Sequence, residues 1–181
     1  MKKILLHSCC GPCTIYPLEY LRVERFDVMG YFYNPNIHPF TEWQKRKQNF
    51  QRFAEEEKLK IIVDGNYELE AFLQSIVHRE SKRCWYCYTM RLFKAASIAK
   101  KGKFDIFTTT LLVSPFQKHE LIKEVGEIVA KKYGIEFYYV DFRKGFKSAY
   151  KKAKATGHYL QQYCGCIYSE RDRYVEKKAR N

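Results

Sequence analysis

Short apolar runs alternate with longer amphipathic stretches along the chain. Five runs rich in aliphatic, aromatic and β-branched residues read as buried strands: Lys3–Ser8, Phe26–Asn34, Lys60–Asp64, Asp105–Val113 and Glu136–Phe142. Helical patterns fill the intervals at Thr14–Val23, Thr41–Lys58, Tyr67–Val77, Tyr88–Lys101, Lys118–Tyr133, Phe146–Thr156 and Ser169–Arg180. Thr41–Lys58 is the clearest of them. Thr41 can cap it, and Trp43, Phe50, Phe53 and Ala54 supply an apolar face. Pro17 suits an early helical turn, and Gly134 follows the fifth helix as a C-cap would.

This alternation predicts an α/β fold, a mostly parallel sheet of about five strands with helices on both faces. No repeat, low-complexity tract or linker interrupts it, so residues 1–181 are expected to form a single domain. In such sheets ligands bind beyond the carboxyl ends of the strands. The loops after the first, second and fourth strands, at Cys9–Cys13, Asn34–Pro39 and Ser114–Pro115, should therefore share one edge.

Composition narrows the class. With 46% hydrophobic and 29% charged residues, the chain is a folded globular protein rather than a disordered or fibrous one. Thirty-three Lys and Arg against twenty Asp and Glu leave a net charge of +13, which points to a polyanionic partner; a generic basic surface is the plainer explanation. Met1–Leu6 is too short for a secretory h-region, and no stretch is long and apolar enough for a membrane span. A cytoplasmic protein with no membrane partner is expected, its cysteines beginning as thiols.

Seven cysteines fall into three groups: Cys9, Cys10 and Cys13; Cys84 and Cys87; Cys164 and Cys166. Gly11 and Pro12 crowd the first three thiols into one tight turn, and a helix starting near Cys13 would favour their thiolates. Taken alone, Cys10 and Cys13 also read as a thioredoxin-like C-x-x-C. A second C-x-x-C at Cys84–Cys87 allows a four-thiolate site, for zinc or for an iron–sulfur cluster. Adjacent Cys9 and Cys10 are unlike the spaced pairs of a zinc knuckle. Cys164–Gly165–Cys166 could be two exposed thiols or a strained, labile disulfide. Four ligands plus three surplus thiols favour redox work. The first loop holds three cysteines and one glycine, and no Walker or dinucleotide fingerprint occurs, so ATP use is not expected.

Five segments taken together, His7–Cys13 (HSCCGPC), Tyr31–Pro39 (YFYNPNIHP), Cys84–Leu92 (CWYCYTMRL), Thr108–His119 (TTTLLVSPFQKH) and Tyr163–Cys166 (YCGC), resemble the QueH-type epoxyqueuosine reductases over nearly the whole chain. Gly11 is a small departure, since related loops often carry alanine there. The resemblance implies reduction of epoxyqueuosine to queuosine at the wobble position of tRNA, and an adenine nucleotide α-hydrolase-like, Rossmann-like fold. It implies a [4Fe-4S] cluster held by Cys9, Cys10, Cys84 and Cys87, and an external electron donor. Cys164 and Cys166 match a pair treated as redox-active. The family also suggests an additional mononuclear iron, for which Cys13, Cys164 and Cys166 are the candidates; they are the expected catalytic residues. The alternatives are a metal-free thiol–disulfide oxidoreductase and a zinc-stabilised RNA-binding module.

Other residues are weighed against plainer roles. His7 reads equally as a core histidine or a neighbour of the thiols. His38 and His119 lie at strand-end loops and are candidates to touch the site; His78 and His158 read as surface or packing residues. Tyr31, Tyr33, Asn34 and Asn36 suit stacking and hydrogen bonding to a base, though the tyrosines also fit simple sheet positions. Trp85 could shield or stack, and Arg91 could face a cluster or solvent. Basic blocks occur at Lys45–Lys47, at Lys100, Lys101 and Lys103, at Lys151, Lys152 and Lys154, and at Arg171, Arg173, Lys177, Lys178 and Arg180. The last two flank Cys164 and Cys166 in sequence and are the preferred tRNA contacts.

Overall fold

Alternation of side-chain direction along a strand lets one short run serve two cores, and the first strand does this. β1 (Lys3–His7) sends Leu5 to one side and Ile4 and Leu6 to the other, all three fully buried. The computed structural model describes residues 1–178, with side chains through 175. β2 (Asp27–Phe32), β3 (Lys60–Val63), β4 (Ile106–Thr109) and β5 (Glu136–Phe137) join β1 in one sheet of order β3-β2-β1-β4-β5, every pair parallel.

The helices are α1 (Gly11–Val23), α2 (Phe40–Glu56), α3 (Leu69–Ile76), α4 (Arg83–Lys101), α5 (His119–Tyr133), α6 (Phe146–Ala155) and α7 (Ile167–Lys178). α1, α2 and α6 pack together over Ile15, Leu18, Phe53, Ala54 and Ala149. α4 and α5 cover the other face, where Leu92, Ala95, Ile122 and Val125 meet Leu5 and Phe107. The α/β architecture with a five-stranded parallel sheet is the one the pattern predicts. The strand order reverses between β1 and β4, and the crevice beyond their carboxyl ends is where such sheets place ligands.

Several boundaries differ from expectation. β4 stops at Thr109, and Thr110–Val113 forms a 3₁₀ turn because the Thr109 Oγ1 accepts from Leu111 N at 3.2 Å. β5 keeps only Glu136–Phe137, and another 3₁₀ turn follows at Phe142–Gly145, started by Asp141 accepting from Arg143 N at 3.0 Å. Thr41 does not cap α2, which begins one residue earlier behind Pro39. α1 begins at Gly11 rather than Thr14, and α4 at Arg83, so two cysteine groups sit on helical first turns. Arg180 lies outside the described residues, as do the side chains of Lys177 and Lys178.

Candidate metal and thiol centre

The β1–α1 turn brings three sulfurs together. Cys10 stands at the N-cap of α1 and its Sγ accepts from Cys13 N at 3.4 Å, while Thr14 Oγ1 donates to the Cys10 carbonyl at 2.7 Å. The sulfurs of Cys9, Cys10 and Cys13 all lie within 4.8 Å of one another, with Cys9 and Cys10 3.8 Å apart. A tetrahedral ion at metal–sulfur distances of about 2.3 Å sets its sulfurs about 3.8 Å apart, so the three already approach ligand spacing. Hydrogen bonds from Cys10 and Cys13 hold the Cys9 thiol well below its ordinary range. Burial pushes Cys10 up. Cys9 is therefore the first of the three to carry charge. The Thr110 Oγ1 donates to Cys9 Sγ at 3.4 Å and accepts from Cys9 N at 3.1 Å, tying the turn to the end of β4.

One face of α4 faces this turn. Cys84, Cys87 and Arg91 are spaced for a single helical stripe. Arg91 is 1% exposed; its Nη2 donates to Asn34 Oδ1 at 2.7 Å and its Nη1 lies 3.7 Å from Cys87 Sγ. Asn34 in turn donates to the Ser8 carbonyl at 3.0 Å, so the loops after β1 and β2 and helix α4 share one network. Burial pushes the Cys87 thiol up to about 12, against the attraction of Arg91 and with Cys164 and Cys166 adding repulsion. Cys84 is half-buried beside Trp85, on a smaller cavity of about 450 Å³.

A second buried guanidinium clamps the last cysteine pair. Arg46 is 0% exposed, pairs with Glu42 at 2.7 Å, and donates to the carbonyls of Cys164 at 3.0 Å and Tyr163 at 2.9 Å. His38 N donates to the Gly165 carbonyl at 2.9 Å, and Tyr163 Oη donates to the His38 carbonyl. Gly165 has φ +140°, and a Cβ there would stand 3.1 Å from Asn36 Nδ2 and 3.2 Å from Ile37 Cγ1. The residue between the two cysteines must therefore be glycine. Gln117 Nε2 donates to Cys164 Sγ at 3.2 Å, and Gln161 Nε2 lies 3.6 Å from Cys13 Sγ. Cys166 Sγ accepts from Ser169 N at 3.4 Å on the first turn of α7.

All seven cysteines are free thiols. Cys9, Cys10, Cys13, Cys87 and Cys166 are buried in one core cluster, with Cys84 packed against it. Cys13 and Cys164 line a cavity of about 730 Å³ with Gln117, Gln161, Tyr163 and Arg173, within the size range of small-molecule sites. Among the described residues, Cys9, Cys10 and Cys13 are the cysteines that form a group of mutually close ligand atoms.

Several expected contacts fall elsewhere. Tyr31 and Tyr33 are interior and stack on each other at 6.3 Å, so neither offers a face to a base. Asn34 is spent on Ser8 and Arg91. His7 is a core histidine: its ring meets Thr109 Oγ1 at 2.8 Å and the Tyr33 carbonyl at 3.0 Å, and burial lowers it to about 3. His119 Nε2 meets the Ser114 carbonyl at 3.3 Å, and His38 packs against Phe72. His158 is buried between Asn49 and Glu56. Arg46 was expected on a basic surface and is interior. Lys152 is tied to Glu19 at 2.7 Å and Glu57 at 3.5 Å.

A parallel α/β sheet with cysteines from the β1–α1 turn, the start of α4 and the segment before α7 defines a thiol-lined centre suited to metal and redox chemistry. The sequence model described as "Epoxyqueuosine reductase QueH" matches residues 4–172. A protein of that description from Dehalococcoides mccartyi is 37% identical over 95% of this chain and 94% of its own length. One from Thermotoga maritima is 32% identical, covering 97% of this chain and 96% of its own. The chain belongs to the epoxyqueuosine reductase QueH family. A solved structure, described as a predicted subunit of tRNA methyltransferase from Methanocaldococcus jannaschii, superposes with a TM-score of 0.58 at 10% identity, covering 99% of this chain and 89% of that one. That likeness shows the fold.

Proposed function

We propose that this chain is an epoxyqueuosine reductase, an oxidoreductase that removes the epoxide oxygen of epoxyqueuosine at the wobble position of tRNA. The epoxide takes up two electrons and two protons, and leaves an alkene and water. Residues 1–181 act as one catalytic domain in the cytoplasm, fed by an external electron donor. No helix among the described residues is long and apolar enough to cross a membrane. The observation that carries the reading is the thiol centre of a family member opening, through Cys13 and Cys164, onto a cavity of about 730 Å³.

The donor set fits a metal group. Among the described residues Arg46 and Arg91 are buried with one buried carboxylate, Glu42, a surplus of positive charge that thiolate ligands would balance. Arg91 Nε is buried without a hydrogen-bond partner among the described residues. In this reading Cys9, Cys10, Cys84 and Cys87 hold a [4Fe-4S] cluster, and Cys13, Cys164 and Cys166 form the substrate-side half of the centre. When bound, the cluster supplies electrons singly and a neighbouring iron supplies a Lewis acid for the departing oxygen.

The protein's own part is to orient and to hold protons. Gln117 and Gln161 fix the Cys164 and Cys13 sulfurs on the cavity wall. Burial raises the Cys164 thiol and keeps it protonated. Two versions of the second half compete. In one, Cys164 and Cys166 give up two electrons and two protons as their sulfurs join in a disulfide, and the oxygen leaves as water. In the other, the three thiolates hold one additional mononuclear iron.

The close spacing of Cys9, Cys10 and Cys13 also suits a single tetrahedral ion, the arrangement of a zinc-stabilised RNA-binding protein. Activity separates the two. Anaerobically reconstituted protein, given tRNA bearing epoxyqueuosine and a chemical reductant, should yield a nucleoside lighter by one oxygen atom. An unchanged nucleoside, with RNA bound, would favour the zinc reading.

A further inference from the structure

The rim of the cavity carries an aromatic shelf that the thiol chemistry does not use. Phe116 is 81% exposed in the loop between β4 and α5, and its ring lies 6.0 Å from that of Phe146 on the first turn of α6. Tyr150, one turn further along α6, is 48% exposed with its ring 6.4 Å from Phe146. All three line the cavity that ends on Cys13 and Cys164. Exposed aromatic surface costs free energy in water, and Phe116 stands out on a hydrogen-bonded turn. Its N donates to Ser114 Oγ at 3.2 Å, Pro115 precedes it, and Gln117 N donates to the Ser114 carbonyl at 3.3 Å.

The surrounding charge selects the partner. α6 carries Lys147, Lys151, Lys152 and Lys154 and no acidic residue. Lys152 is turned to Glu19 and Glu57, while the other three have no carboxylate partner among the described residues. Arg173 lines the cavity, and the one acidic residue there, Asp172, is paired with Arg83 at 2.7 Å and Arg171 at 2.6 Å. Aromatic rings interleaved with unpaired lysines are how proteins hold unstacked bases along a phosphate backbone. An apolar peptide would not call for the lysines, and a duplex would not call for the rings.

We propose that Phe116, Phe146 and Tyr150 form a stacking platform for an unpaired RNA base next in the strand to the one that enters the cavity, with Lys147, Lys151 and Lys154 beside its phosphates. The inference rests on the reading of the site as one that acts on RNA. It locates the entry side of the strand on α6 and the Ser114–Gln117 loop.

The test uses full-length, metal-loaded protein and an anticodon stem–loop RNA with 2-aminopurine beside the reacting position. Phe116→Ala and Tyr150→Ala replace exposed rings, and unchanged circular dichroism and visible absorption would show each variant folded and loaded. Wild type should quench the 2-aminopurine on binding. Each alanine variant should lose quenching and bind about 5- to 150-fold more weakly, the range for one base–aromatic stack. Phe116→Trp should restore both, and the slope of log affinity against log salt should stay the same. Wild-type affinity and quenching in both alanine variants would overturn the platform while leaving the RNA reading intact. Failure of the wild type itself to bind the RNA would overturn both.

Discussion

Arg91 Nη1 lies 3.7 Å from the Cys87 sulfur, one helical turn along α4, and no carboxylate pairs with this guanidinium among the described residues. Its other anchor is the neutral Asn34 side chain. A buried cation without a counter-ion is costly, and cysteines ionised by a bound metal would supply its partner. Arg91 is flanked by Cys87, Cys9 and Cys164, members of all three cysteine groups.

A positive charge at that position stabilises the more negative, reduced state of an anionic centre. Arg91→Gln should therefore lower the midpoint potential of the reconstituted centre by tens of millivolts, since about 1.4 kcal/mol corresponds to 59 mV for one electron. Arg91→Lys should lie between the two. Redox titration followed by visible absorption measures this, and a potential unchanged in Arg91→Gln would mean that the guanidinium does not face the electron-carrying group.

Alanine at Cys13, Cys164 or Cys166 should leave the cluster spectrum largely intact while abolishing turnover on tRNA bearing epoxyqueuosine. Iron analysis then divides the two versions of the mechanism. A fifth iron present in the parent and lost in these variants indicates the three-thiolate site; equal iron in parent and variants indicates the cycling Cys164–Cys166 pair. Normal turnover in all three variants would remove these residues from the reaction.

The His38 ring packs against Phe72 and Tyr67, and burial lowers it from 6.5 to about 4. The folded protein thus binds fewer protons there than the unfolded chain between those values. This contribution to stability is fully present above about pH 6.5 and is lost as pH falls towards 4. His38→Phe, which cannot titrate, should flatten that part of the stability–pH curve relative to the parent. Urea unfolding at pH 7 and pH 5 reads the difference; identical slopes would show that His38 is hydrated in the folded protein.

The parallel sheet was legible because each strand is a compact apolar run bounded by helical periodicity. The end of β4 was not, since Thr108–Val113 reads as continuous β-branched and apolar sequence, and only the Thr109 hydroxyl turns the backbone aside. Cysteine spacing exposed the thiol centre. The two buried arginines were harder to see. Arg46 stands between Lys45 and Lys47 and reads as surface charge, yet it shares an inward stripe with Glu42, Asn49, Phe50 and Phe53. Reading the 3.6-residue period through the charged run would have found it. Arg91 was visible in the same way, in line with Cys84 and Cys87. Gly165 also had a signal, a glycine between two cysteines, but its close approach to Asn36 and Ile37 needed the folded chain. Gly11 is similar: a Cβ there would stand 2.9 Å from the Asn49 carbonyl, so an alanine would strain the α1–α2 contact.

Whether cysteines of the β1–α1 turn and of α4 hold an iron–sulfur cluster is tested most directly by the iron, zinc and acid-labile sulfide content of protein prepared without oxygen. Such protein should be brown, with about four cluster irons and four sulfides per chain, plus one further iron if the three-thiolate version holds. One zinc per chain with no sulfide would contradict the cluster.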